Sequence, residues 1–162
     1  MTFIEIQNDD NYPVPDEALI LAIQTVINAH DIDPEAGVTV VITDDEAVRA
    51  LNLQFRDVDS PTDILSFPAD APPIPMPDEP PYLGDLIIAY PYAKAQAEKV
   101  GQNFTDNLSL LVVHGTLHLL GYDHNTPENK ADMWAEQADA LRILGISEGI
   151  VPPLEDEVHD DV

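Results

Sequence analysis

The chain has 162 residues, a length that fits one folded domain and is too short for two comfortable ones. It contains no cysteine, which excludes disulfides and thiolate metal sites, and its N-terminal residues lack the basic and apolar pattern of a signal peptide, so we expect a cytoplasmic protein. The formal net charge of −25, from 6 basic and 31 acidic side chains, should repel nucleic acid at long range.

Acidic side chains are spread along the chain rather than collected at its end. Residues 152–162 hold five of them and little apolar surface, so this segment is predicted to be a disordered tail. Without those five charges the formal net charge is still −20. Salt-adapted proteins also carry strongly acidic surfaces, so the charge reflects either the binding partner or the internal milieu of the organism. We expect residues 1–151 to form the single folded domain.

Hydrophobic periodicity predicts that strands and helices alternate in the first half of the chain. The first three elements are a strand over residues 2–7, a helix over residues 15–30 and a strand over residues 38–42. Thr43 and Glu46 have the spacing of a capping box, which predicts that a further helix begins here. The apolar residues on one face of that helix are Val48, Leu51 and Phe55.

The second half is predicted to hold two strands followed by three helices. They cover residues 62–67, 83–90, 91–100, 107–120 and 126–144. Between the two strands, residues 68–81 contain seven prolines in fourteen positions, which excludes a helix or an inner strand and predicts an extended Pro-rich loop. The resulting order, β-α-β-α-β-β-α-α-α, predicts an α+β fold in which helices pack on a four-stranded mixed sheet.

The helix predicted over residues 107–120 carries the most informative pattern in the chain. It is apolar around most of its circumference and is followed by Gly121, which indicates a buried helix with a glycine stop. His114 and His118 are four residues apart and therefore lie on one face of this helix. A chain reversal at Gly121 would fold His124 back toward them.

Three imidazoles brought together in this way suit one Zn²⁺ ion, because three nitrogen ligands leave the fourth tetrahedral position open for water. An open position indicates catalysis, and a metal-activated water indicates hydrolysis. The alternative is that His114 and His118 are core histidines with polar partners. The third histidine favours the metal, since one ion satisfies all three buried imidazoles. His30 is interpreted as a helix-end residue, and His159 is not expected to contribute.

The residues between and beside the three histidines indicate a protein family. Gly115 occupies the position at which HExxH metalloproteases carry their general base, so that base is missing. The run HGTLHLLGYDH, residues 114–124, instead resembles the signature of the YbeY family, bacterial single-strand endoribonucleases implicated in rRNA maturation and ribosome quality control. Residues 52–67 and 83–88 resemble two further family blocks, with Arg56 at the family's arginine. The resemblance covers about residues 35–145.

The resemblance implies a zincin-like, metal-dependent hydrolase fold with a buried histidine-bearing helix, in which residues 1–151 are the catalytic domain. It implies one zinc ion held by His114, His118 and His124, and it makes Arg56 and His114 the candidate catalytic residues. The expected partners are single-stranded RNA, in the form of rRNA precursors, and the ribosome or a ribosomal subunit. No DNA or membrane partner is expected.

Arg56 admits two interpretations from the sequence. It lies at the predicted end of a helix, where an arginine in so acidic a chain commonly pairs with a nearby carboxylate such as Asp57 or Asp59. The resemblance implies instead that Arg56 acts at the active site. A guanidinium suits a phosphodiester, because its planar fork binds two oxygens as negative charge develops.

Three functions are therefore open. The first is a metal-dependent endoribonuclease acting on single-stranded RNA. The net charge of −25 argues against RNA and leaves a hydrolase of a peptide or small ester as an alternative. A non-enzymatic ribosome assembly factor with a structural zinc is the third, and a fourth protein ligand would favour it. Asp123 is the nearest such candidate, although we expect it to cap the turn or to orient a histidine.

Overall fold

The structure of the protein, a computed structural model, describes residues 4–69 and 80–146. Strands and helices follow one another in the order that hydrophobic periodicity predicts. The strands are β1 (Ile4–Gln7), β2 (Gly37–Thr43), β3 (Ile64–Pro68) and β4 (Tyr82–Ala89). The helices are α1 (Asp16–Ala29), α2 (Asp45–Arg56), α3 (Tyr90–Lys99), α4 (Phe104–Leu119) and α5 (Pro127–Leu144).

The four strands form one sheet in the order β1-β2-β4-β3. β2 pairs in parallel with both β1 and β4, whereas β3 is antiparallel to β4. Parallel neighbours require a crossover connection, which α1 supplies between β1 and β2. The predicted α+β fold with a mixed four-stranded sheet is confirmed, and β3 is an edge strand.

Side chains of β4 alternate between two apolar clusters, as the two-residue period of a strand requires. Leu86 and Ile88 belong to the main core together with apolar residues of α1, α4 and α5. Ile87 and Ala89 belong to a smaller cluster with Val48 of α2. The sheet is thus covered on both faces, with α4 on one side and α2 on the other.

Helix α4 runs through the main core. Every residue from Asn107 to Leu117 is buried, so the prediction of a buried histidine-bearing helix is confirmed. The helix begins at a cap in which the side chain of Asn103 accepts a hydrogen bond from the backbone N–H of Asp106, over 3.1 Å. An amide oxygen at this position satisfies one of the N–H groups that the first turn leaves without a helical acceptor.

At Gly115, α4 packs closely against side chains of the sheet. A Cβ atom added there would lie 2.8 Å from Cδ2 of Leu86 and 3.1 Å from Cδ1 of Ile64. A side chain as long as glutamate does not fit in that space unless these side chains of the sheet are displaced. The residue that replaces the protease base therefore has a packing role of its own.

The predicted capping box at the start of α2 is wrong. Thr43 is still part of β2, where it is paired with Ala89 of β4, so it is not positioned to cap a helix. The cap is the next residue, Asp44, whose carboxylate accepts a hydrogen bond from the backbone N–H of Ala47 over 2.8 Å. The strand continues one residue further than the motif assumed, and the Asp side chain then takes the capping position.

The apolar face predicted for α2 is only partly buried. Val48 is fully buried, but Phe55 is 59% exposed. Phe55 lies in the last turn of α2 and contacts Phe67 of β3, with 5.3 Å between the ring centroids. Because β3 is the edge strand, no further strand covers the ring on that side in the described sheet.

Some predictions fall on residues outside the described ranges. They are the start of the first strand at residues 2–3, most of the Pro-rich loop (residues 70–79) and the tail over residues 152–162. The division of the chain into residues 1–151 and a tail therefore stays a prediction. Within residues 4–69 and 80–146, no helix is both long enough and apolar enough to span a membrane.

Candidate metal centre

The end of α4 is shaped by a Schellman motif around Gly121. The backbone N–H of Gly121 donates to the carbonyl of His118 over 3.0 Å, and the N–H of Tyr122 donates to the carbonyl of Leu117 over 3.0 Å. Gly121 has a φ of 103°, a backbone conformation that residues other than glycine rarely adopt. The glycine stop thus reverses the chain directly after the histidine-bearing turn.

The reversed chain brings His124 to His114 and His118. The ring centroid of His124 lies 5.5 Å from that of His114 and 5.2 Å from that of His118. One possible ligand atom from each of the three residues lies within 4.8 Å of the others. Asp123 supports the turn, since its Oδ1 accepts a hydrogen bond from the backbone N–H of His124 over 2.7 Å. This bond agrees with the expectation that Asp123 caps the turn.

Two carbonyl oxygens determine which nitrogen of His114 and His118 carries hydrogen. Nδ1 of His114 lies 3.0 Å from Oε1 of Gln137, and Nδ1 of His118 lies 2.9 Å from the backbone oxygen of Tyr122. A carbonyl oxygen can only accept, so each Nδ1 donates. In both neutral rings, Nε2 is then the nitrogen with the lone pair.

These two lone-pair nitrogens face each other across 3.1 Å. Two acceptors at that distance repel unless a cation or a proton lies between them. A tetrahedral zinc ion with Zn–N distances of ~2.0–2.1 Å holds its ligand nitrogens roughly 3.3 Å apart. The spacing and the donor type of His114 and His118 therefore fit a zinc ion, with His124 as the third imidazole.

Helix α5 forms one wall of the histidine cluster. The ring of Trp134 lies 5.8 Å from His114 and 5.6 Å from His124, nearly perpendicular to both. Gln137 follows one turn later and is fully buried, which fixes the position of the amide that accepts from His114. A buried acceptor that cannot exchange for water holds the imidazole in one orientation.

A cavity of about 420 Å³ opens beside the cluster, along the edge strand β3. Its walls come from the end of α2, from β3, from α4 and from the turn that follows α4. The residues that line it are Phe55, Arg56, Ile64, Leu65, Ser66, Phe67, Pro68, His114, His118, Gly121, Tyr122 and Asp123. Arg56 and two of the three clustered histidines thus share one cavity although they are far apart in the sequence.

Arg56 is the last residue of α2, and Asp57 ends the helix in the left-handed conformation with a φ of 59°. Asp59, one of the carboxylates considered as a partner for Arg56, forms an ion pair with Arg49. Arg49 also binds Glu46, and this hydrogen bond holds the pKa of the Glu46 carboxyl below its ordinary value. Arg49 is therefore a surface arginine paired with carboxylates. Arg56 lines the cavity.

Tyr122 lines the same cavity. Burial raises the pKa of its phenol, and the carboxylates of Glu136 and Asp132 raise it further. The phenol is therefore protonated at neutral pH, where it can donate a hydrogen bond but cannot act as a base.

His30 takes no part in the cluster, in agreement with its interpretation as a helix-end residue. It is the residue after α1, its Nδ1 lies 2.8 Å from the carbonyl oxygen of Val26, and its Nε2 lies 2.8 Å from a carboxylate oxygen of Glu136. His159 lies outside the described residues.

Comparison with protein families gives a match over almost the whole folded part of the chain. A family model described as Endoribonuclease YbeY matches residues 4–145. The chain belongs to the YbeY family. The resemblance seen in the sequence over about residues 35–145 is thus confirmed, and the match begins further toward the N-terminus, at β1.

The alignments with relatives in the YbeY family cover most of this chain and most of each relative. A protein of Nocardia farcinica is 40% identical over 144 residues, which are 85% of this chain and 78% of the relative. One of Roseiflexus sp. (strain RS-1) is 42% identical over 137 residues, or 82% and 86% of the two chains. Both are named Endoribonuclease YbeY.

A solved structure shares the fold of this YbeY-family chain. The solution structure of TM1509 from Thermotoga maritima superposes with a TM-score of 0.59 at 25% identity, and the alignment covers 98% of this chain and 99% of that one. The described architecture is therefore found in an experimental structure.

Three residues of the site received no role from the sequence: Gln137, which lies outside the YbeY motifs, and Tyr122 and Phe67, which lie inside them. Gln137 has a signal in the sequence, because it is a polar residue on the apolar stripe of α5, but the stripe does not identify the residue that the amide contacts. Tyr122 acts on His118 through its backbone carbonyl, which no side-chain pattern reports. Phe67 resembles any other apolar strand residue until the sheet shows it at an edge.

Proposed function

We propose that the protein is a metal-dependent, single-strand-specific endoribonuclease that cleaves RNA phosphodiesters in rRNA maturation and ribosome quality control. The observation that carries the proposal is the cavity that Arg56 shares with His114 and His118. A cationic fork beside a group of imidazoles suits an anionic phosphodiester. Membership of a family whose relatives are named endoribonucleases supports RNA as the substrate.

The metal of the proposal is one zinc ion held by His114, His118 and His124. When bound, zinc lowers the pKa of a coordinated water to about 7 and polarises the bond to be hydrolysed. The chain's own contribution is orientation. Gln137 and the backbone carbonyl of Tyr122 hold the two Nδ1–H groups, so that the Nε2 atoms of His114 and His118 converge.

The composition of the cluster favours a catalytic over a structural metal. Among the described residues, the group able to hold an ion consists of three histidines. Asp123 was expected to cap the turn or to orient a histidine rather than to act as a fourth ligand, and its Oδ1 accepts a hydrogen bond from the backbone N–H of His124. With no fourth ligand from the described residues, the three-imidazole set leaves a position for water.

Arg56 is proposed to bind the phosphate that is cleaved. Its guanidinium can donate two parallel hydrogen bonds to non-bridging oxygens, and those bonds strengthen as charge accumulates on them. A peptide or neutral ester offers no such pair of anionic oxygens. The position of Arg56 on the cavity wall therefore favours the nuclease over the hydrolase of a non-RNA substrate.

The proposed partners are rRNA precursors and the ribosome or one of its subunits, in the cytoplasm. The net charge of −25 makes long-range attraction to RNA unfavourable. RNA binding must then depend on short-range contacts in the cavity and on a high local concentration of substrate, which association with the ribosome would supply.

The experiment that tests the proposal combines metal analysis with RNA cleavage. Purified full-length protein is assayed for bound zinc, then incubated with a single-stranded RNA and with the same sequence in a duplex, before chelation, after chelation and after zinc is restored. We expect about one zinc per chain and cleavage of the single strand that chelation abolishes and zinc restores. Bound zinc without cleavage of any RNA would favour the structural role.

A further inference from the structure

Among the exposed large apolar residues of the described chain, Phe55 is the one that lines the cavity. The residue is 59% exposed, although it lies in the same last turn of α2 as Arg56 and lines the cavity beside the histidine cluster. Most large apolar residues of the described chain are buried, and exposing an aromatic ring costs hydrophobic free energy. An exposed aromatic residue inside a functional cavity is typical of a ligand contact.

Phe67 supports this ring from the sheet. The centroids of the two rings lie 5.3 Å apart, with an angle of 70° between the ring planes, an edge-to-face arrangement. Phe67 itself packs against the apolar cluster formed by Val48, Leu65, Ile87 and Ala89. Phe55 is therefore held on the cavity wall by a partner that packs against this cluster, and much of its own ring surface stays open to solvent.

We infer that Phe55, supported by Phe67, is a stacking platform for an unpaired nucleobase next to the phosphodiester that Arg56 binds. This inference rests on the proposed function and deepens it, because it identifies the contact that selects single-stranded RNA. A base in a duplex is stacked and paired with its neighbours, whereas an unpaired base can leave its strand and stack on an aromatic side chain.

The charge of the protein argues for a base rather than for a longer stretch of phosphate backbone. Proteins that bind nucleic acid through phosphates do so with many Lys and Arg side chains, and this chain has 6 of them against 31 acidic residues. Stacking on an aromatic ring does not depend on net charge and accepts any base. One arginine for one phosphate and one ring for one base is a set of contacts that an acidic protein can offer.

The test measures binding without turnover. Full-length protein with His118→Ala, in which cleavage is expected to be lost, is titrated against a fluorescent single-stranded RNA alone and in combination with Phe55→Ala, Phe55→Leu or Phe55→Trp. Leu53→Ala serves as the matched control, because Leu53 is 44% exposed on the same helix and is not among the residues that line the cavity. Thermal unfolding of each variant verifies that it folds.

We expect Phe55→Ala to weaken binding of the single strand about tenfold, in line with the loss of one base–aromatic stack. Phe55→Leu should lose nearly as much, since it keeps the apolar surface but not the ring, and Phe55→Trp and Leu53→Ala should bind as the parent does. An RNA with a single abasic ribose at the platform position should bind equally well to the parent and to the Phe55→Ala variant, which locates the stacked base.

Three results would overturn the inference, and they differ from one another. If all Phe55 variants bound RNA equally well while the wild-type protein cleaved it, the stacking platform would be ruled out and the proposed nuclease function would stand. Absence of RNA binding and cleavage in the wild-type protein removes the proposed function and the platform together. Concentration-dependent self-association that Phe55→Ala abolishes would assign the exposed ring to a second copy of the chain.

Discussion

His114 and His118 place their Nε2 atoms 3.1 Å apart, while the Nδ1 atom of each ring lies against a carbonyl oxygen on its far side. Residues four apart on a helix share a face, but that spacing alone leaves the rings free to rotate. The two carbonyls, from Gln137 and Tyr122, fix both rings in the orientation that a shared cation requires. Helix α5 and the turn after α4 therefore organise the cluster together with the histidine-bearing helix.

Replacing His118 by Ala should remove the metal. Two imidazoles bind zinc much more weakly than three, so the zinc content after dialysis should fall from about one per chain to near zero. The control is His30→Ala, because His30 is engaged with Val26 and Glu136 instead of the cluster. Elemental analysis of both proteins decides the matter: an unchanged zinc content in His118→Ala would contradict the three-histidine site.

Replacing Gln137 by Leu should weaken zinc binding while keeping the fold. Leucine fills a similar volume but cannot accept the Nδ1–H of His114, and loss of such a supporting hydrogen bond costs about 10–100-fold in metal affinity. Gln137→Glu keeps an acceptor and should bind zinc at least as well as the parent. Competition with a chromophoric chelator gives the affinities, and ¹⁵N NMR of the imidazoles reports whether His114 keeps its Nδ1–H tautomer.

If Gln137→Leu bound zinc as tightly as the parent and His114 kept its tautomer, the buried amide would have only a packing role. The NMR readout separates this case from a general loss of stability, since a merely destabilised protein would retain the tautomer in its folded fraction.

Replacing Arg56 by Ala should lower kcat for RNA cleavage about 10²–10³-fold, the usual effect of removing one donor that stabilises transition-state charge. Zinc content and thermal stability should stay near those of the parent. Arg56→Lys should not restore the rate, because an ammonium cannot form the two-pronged contact. The control is Arg49→Ala on the same helix, since Arg49 binds Glu46 and Asp59 and is not among the cavity-lining residues.

Replacing Gly115 by Ala should destabilise the fold. The new methyl group would lie 2.8 Å from Cδ2 of Leu86, and overpacking of this kind costs about 1–3 kcal/mol. For a domain of this size the melting temperature should fall by about 2–10 °C. Differential scanning calorimetry measures the shift, and an unchanged melting temperature would mean that the sheet yields to the extra atom more easily than its contacts indicate.

Removing residues 152–162 should leave the melting temperature and the zinc content unchanged, because an acid-rich, apolar-poor segment buries little surface. The same truncation removes five negative charges, so binding of single-stranded RNA should be equal or slightly tighter at low salt. A clear loss of thermal stability would show instead that Leu154 or Val158 packs on the domain.

Much of the fold and part of the site followed from the sequence, because they depend on local patterns. The order of strands and helices, the burial of α4 and the glycine stop at Gly121 are consequences of hydrophobic periodicity and of backbone conformations that glycine adopts readily. The proximity of His114, His118 and His124 also follows from a helical turn and one reversal. The exact start of α2 did not follow, since strand pairing through Thr43 overrode a capping motif that spacing alone favoured.

Beyond Arg56, whose place at the active site the family resemblance already implied, only the tertiary structure decided which distant residues join the histidines. Arg56, Gln137 and Phe67 come from three different elements, and their meeting around the histidines depends on the order β1-β2-β4-β3, which makes β3 an edge strand beside the end of α4. It also decided that Phe55 is exposed while Val48 on the same helix is buried. Periodicity predicts which face of a helix or strand is apolar. Strand pairing decides how much of that face the sheet covers, and strand pairing is a long-range contact that no local pattern encodes.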